Sequence, residues 1–112
     1  MTPWEMDAAI AQHLGWKNVH VYEDDAGPPI HCGTPPGPAS RSTKIPRYSE
    51  DLNAMHEAVS KLTNLELFRY ADEVCDLAYD GGHDADIQMI LKMEAKELAE
   101  CYVRAIGKWR VA

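Results

Sequence analysis

The hydrophobic pattern of the 112-residue chain changes period several times, and each change marks an element. Thr2-Pro3-Trp4-Glu5 has the makings of a helix start. The hydroxyl can cap, the proline sits where an N–H is not needed, and the glutamate three residues on completes a capping box. Ile10 and Leu14 share a face and Gly15 supplies a left-handed stop, which predicts a helix from about Pro3 to Leu14. Between Trp16 and Tyr22 the pattern switches to alternation, Val19 and Val21 against His20 and Tyr22, as in a half-buried strand. Ser49 is the expected N-cap of a second helix, with Glu50 and Asp51 in its first turn. Leu52, Met55, Val59 and Leu62 form its apolar seam, and Glu57 and Lys61 stand four apart on the exposed side. Thr63 and Glu66 repeat the capping box ahead of a third helix, whose face is Leu67, Tyr70, Ala71, Val74, Leu77 and Ala78, ended by Gly81-Gly82. A last helix starts afresh near Glu94 and presents Ala95, Leu98, Ala99, Tyr102, Ala105, Ile106 and Trp109, with Lys108 and Arg110 where cations suit a helix C-terminus.

Two stretches resist this reading. Residues 23–48 carry six of the seven prolines, together with Gly27, Gly33 and Gly37, which predicts a loop without regular structure. The apolar run from Ile87 to Met93 reads as a strand that would partner the one at Val19, or as the first part of one long helix to Trp109. The expected fold is therefore a single α+β domain over residues 1–112, mainly helical: about four helices and a two-stranded sheet in the order α-β-loop-α-α-β-α.

Charge adds what periodicity cannot. Acidic residues outnumber basic ones 18 to 11, a net charge of −7. That balance opposes direct contact with nucleic acid or a membrane surface and leaves solubility or a basic partner as what the acidity means. The acid is uneven: residues 49–100 hold thirteen carboxylates and four cations, whereas residues 101–112 hold three cations and no acid. Cys32, Cys75 and Cys101 form neither a disulfide framework nor a zinc pattern. The N-terminus has no signal-peptide character and no run is long enough to span a membrane, so a reducing cytoplasm is expected.

Three segments together resemble a family of small phage and prophage proteins described as the phage αβα (ABA) sandwich family. They are the helix ending in Leu14-Gly15-Trp16, the run Pro46-Arg47-Tyr48-Ser49-Glu50-Asp51-Leu52-Asn53-Ala54-Met55-His56-Glu57-Ala58-Val59, and Glu97 to Trp109, about half the chain. The resemblance implies a phage-encoded accessory gene product with helices packed on a small sheet, so that the cytoplasm is expected to be the host's; it lends no biochemical activity. The chain departs from the family in having Glu94 and Lys96-Glu97 where members carry a Thr and a Gln-Arg pair, and in its proline-rich segment from Glu23 to Ile45.

Candidate chemistry is sparse. His31-Cys32, and Asp80, His83, Asp84 and Asp86, lack metal-site spacing, so they read as solvated turns. No cofactor motif or catalytic signature occurs, although Cys32 would become a candidate nucleophile if His20 lay beside it. The binding candidates are Asp80, Asp84 and Asp86, as an acidic surface for a basic or nucleic-acid-binding host protein, and Arg41, Lys44, Arg47 and Tyr48, as a basic loop. The leading expectation is a non-enzymatic protein that binds a host macromolecule and inhibits a host defence system. The alternatives are a homo-oligomer that sequesters a nucleotide signal at the basic loop, and a structural or regulatory phage protein. Arg47 has a plainer role available, pairing with Glu50. Trp4, Trp16 and Trp109 are expected to cover core edges, and His56 to sit at a boundary.

Overall fold

The computed structural model describes residues 1–22, 27, 29–37, 41–78 and 93–109. Helix α1 spans Pro3–His13. Its capping box closes in both directions: the Thr2 amide donates to Glu5 Oε1 at 3.0 Å and the Glu5 amide donates to Thr2 Oγ1 at 3.2 Å. Leu14 ends the helix and Gly15 turns the chain at φ +100°, a conformation that favours glycine.

The sheet differs from expectation. Strands β1 (Lys17–Tyr22), β2 (Ile30–Thr34) and β3 (Thr43–Lys44) form a three-stranded antiparallel sheet in the order β1-β2-β3. The partner of β1 is therefore the neighbouring segment within the proline-rich region, which is not a structureless loop. The prolines lie outside the paired residues. Pro28, Pro29, Pro35 and Pro36 flank the proline-free Ile30-His31-Cys32-Gly33-Thr34, so every strand residue keeps its amide donor. Val21 pairs with His31 and Tyr22 with Ile30, and an irregularity between Lys17 and His20 places Asn18 at φ 53°. Gly33 is buried where β1 crosses closely; a Cβ there would lie 3.2 Å from the Lys17 carbonyl oxygen and 3.3 Å from Trp16. The strand expected over Ile87 to Met93 lies outside the described residues except for Met93, which is buried in irregular chain.

Helix α2 spans Leu52–Ser60, and its cap is Asp51, not Ser49. Asp51 Oδ1 accepts from the amides of Asn53 at 2.9 Å and Ala54 at 3.3 Å, while Ser49 is drawn into the interior. Helix α3 spans Asn64–Ala78 and opens with the expected Thr63–Glu66 box. Helix α4, Ala95–Ala105, begins where the chain is extended at Glu94, whose amide donates to Glu97, so Ile87 to Trp109 is not one helix. The order among the described elements is thus α-β-β-β-α-α-α, an α+β domain with four helices.

The core forms around α4, which packs against α1, α2 and α3. Seven of its eleven residues are buried, including Tyr102 and Val103 with no exposure. Met6 and Ile10 of α1 and Met55 and Ala58 of α2 close on it, and Trp16 and Trp109 cover the edges as expected.

Candidate functional site

The proline-rich segment returns to α1 just before α2, and Arg47 is fixed there from three directions. Its Nε donates to Asp7 Oδ2 at 2.9 Å, its Nη2 donates to Glu50 Oε1 at 2.9 Å, and its guanidinium carbon lies 3.6 Å over the Trp4 ring. The pairing with Glu50 follows the sequence expectation; the pairing with Asp7, forty positions away, does not appear in any local pattern. Asp7 is fully buried and also accepts from the Ser49 amide at 2.8 Å. Burial raises its carboxyl above the ordinary 3.8, opposed by the bonds from Ser49 and Arg47. The Ser49 hydroxyl, buried beside the same carboxylate, makes no hydrogen bond of good geometry among the described residues. His31 of β2 stacks on Trp4, ring centres 4.1 Å apart and planes 6° from parallel. Desolvation holds its imidazole below the usual 6.5, with Asp7 pulling it up and Arg47 pushing it down.

These groups border a cleft of about 260 Å³ lined by Trp4, Ile30, His31, Lys44, Ile45 and Arg47. Of the basic-loop candidates, Lys44 and Arg47 come together there and Arg41 stands exposed outside its lining. Tyr48 is 5% exposed and belongs to the core; burial pushes its hydroxyl up to about 12. Asp80, Asp84 and Asp86 lie outside the described residues.

A second polar cluster joins three helices. His13 of α1 bonds Tyr102 of α4 through Nδ1 at 2.7 Å and Glu66 of α3 through Nε2 at 2.6 Å. The Glu66 carboxylate can only accept, which puts a proton on Nε2, while the Tyr102 hydroxyl is the partner of Nδ1. The Thr63 amide and then His13 hold the Glu66 carboxyl below its ordinary 4.5. Both ring nitrogens are thereby engaged, and the imidazole staples α1, α3 and α4 together. His20 does stand opposite Cys32 in the β1–β2 register, with its Nδ1 donating to the Asn18 carbonyl at 2.6 Å. Neither side chain lines the cleft beside Arg47. Among the described residues no three His, Cys, Asp or Glu side chains are grouped to hold a metal.

The third feature is the outer face of α3. Phe68, the chain's one phenylalanine, is 67% exposed and Leu65 is 60% exposed. Leu65 lies nine positions from the buried Val74, half a turn round the helix, so this pair faces away from the core. Exposed Asp72 and Asp76 share the surface, and Glu73, Asp76 and Glu100, with Arg104, line a groove of about 260 Å³ between α3 and α4. The thiol of Cys101 beneath it is pushed up to about 12, first by burial and then by Glu100 and Glu73. The expected face of α3 overlooked Leu65 and Phe68; their i, i+3 spacing opposite Val74 is the signal that marks them. His56, expected at a boundary, is exposed.

The chain matches no family model, no curated protein and no solved structure. No helix among the described residues is long and apolar enough to cross a membrane.

Proposed function

We propose that this is a phage-encoded, non-enzymatic accessory protein that binds a basic surface of a host macromolecule in the host cytoplasm, with inhibition of a host defence component as its role. The resemblance of three chain segments to a phage family supports the source, and the exposed Leu65–Phe68 pair on α3 carries the binding. Burying such a pair on docking is worth roughly 1.5–3 kcal/mol per side chain. Asp72 and Asp76 beside it supply the complementary charge for a basic partner and would speed its approach at low salt.

Paired affinity captures from host lysate, with the wild-type chain and with the double variant Leu65→Ala/Phe68→Ala, test this reading. A basic protein that the wild type retains, that the variant loses, and that dissociates as salt rises supports it once the purified pair is shown to bind. Identical recovery by both chains overturns it.

A further inference from the structure

The cleft beside Arg47 has a construction that partner docking through α3 does not use. Burying a carboxylate in a chain this small is costly, and a buried ion pair is a poor source of stability. Asp7 is nonetheless fully buried, and what it holds is an arginine whose side chain keeps 30% of its exposure. Two of the five N–H donors of Arg47 are used, by Asp7 and Glu50; the others have no protein partner among the described residues. The result is a guanidinium locked in place with donors to spare, the arrangement that lets an arginine bind an anion without first being ordered.

The rest of the lining extends the match. Lys44 adds a second cation, exposed on β3 and without a protein partner among the described residues. The cleft wall contains no carboxylate, whereas the groove between α3 and α4 is lined by three. Trp4, Ile30 and Ile45 supply apolar surface, and His31 a flat ring. Asp7 and Glu50 neutralise part of the field of Arg47, so one anionic group suits the site better than a polyphosphate. A cavity near 260 Å³ is the size for a single ring system.

We infer that the cleft lined by Trp4, His31, Lys44 and Arg47 binds a small ligand made of one aromatic ring system bearing one phosphate-like group. The phosphate engages Lys44 and the free donors of Arg47, and the ring packs on the apolar wall. This site is independent of the α3 surface. Titrations of the full chain with adenosine monophosphate and with phenyl phosphate, followed by tryptophan fluorescence and calorimetry, test it against inorganic phosphate and adenosine. At least one aromatic phosphate binds about tenfold more tightly than either half-ligand. Tighter binding of adenosine monophosphate assigns a nucleotide and tighter binding of phenyl phosphate a smaller aryl phosphate; either supports the site. Lys44→Ala, at an exposed position, weakens binding about tenfold, while Lys61→Ala, outside the cleft, leaves it unchanged. Absence of binding by both aromatic phosphates at about 5 mM, or binding untouched by Lys44→Ala, overturns it.

Discussion

Helices α3 and α4 pack against each other and have similar apolar periodicity, yet they end in opposite circumstances. Seven of eleven residues of α4 are buried, whereas Val74 alone of Asn64–Leu77 is buried in α3. The difference lies in neighbours: α4 is enclosed by α1, α2 and α3, so residues on several faces find apolar contact, while α3 packs mainly along one seam against α4. Periodicity identifies a face; the number of packed partners decides how much of a helix is core. Among the described residues no element encloses Leu65 and Phe68 in this way, which is why α3 and not α4 carries the proposed docking surface.

Substitutions sharpen the contrast. Tyr102→Ala removes a ring at the centre of α4 and takes away the partner of His13 Nδ1, and is expected to cost roughly 3–5 kcal/mol in urea unfolding. Val74→Ala, on the inner face of α3, should cost about 1–2 kcal/mol by the same measurement. If the two losses were equal, α3 would be as integral to the core as α4.

The staple between the helices gives a smaller effect with a definite sign. The folded-state pKa of Glu66 is depressed, so its contribution is present above the unfolded value near 4.5 and is lost as pH falls through the lower folded value. Thermal melts between about pH 3 and about pH 7 should show part of the acid-side loss of stability disappearing in Glu66→Gln. An unchanged acid limb would mean that the folded protein does not hold the Glu66 carboxyl below its unfolded value.

What the sequence revealed follows the range of the interactions. Both Thr–Glu capping boxes and the fresh start at Glu94 were legible because each bond spans three residues. The face of α4 was legible because many neighbours enforce it. β2 was hidden because proline density, averaged over residues 23–48, masks a five-residue run that contains none. Asp51 caps the helix in place of Ser49, which is buried with its amide donating to Asp7, a bond that spans forty-two positions. The same distance concealed half of the candidate site: Lys44 and Arg47 stood out as cations, while Asp7, Trp4 and His31 gained their roles only when α1 met the sheet.

The most direct measurement is urea unfolding of Leu65→Ala/Phe68→Ala beside the wild type, since residues kept on the surface for a partner should contribute nothing to the isolated fold. The account predicts stability within about 0.5 kcal/mol of the wild type and an unchanged denaturant slope. A loss above about 2 kcal/mol would place both side chains in the core and contradict the assignment of α3 as a docking surface.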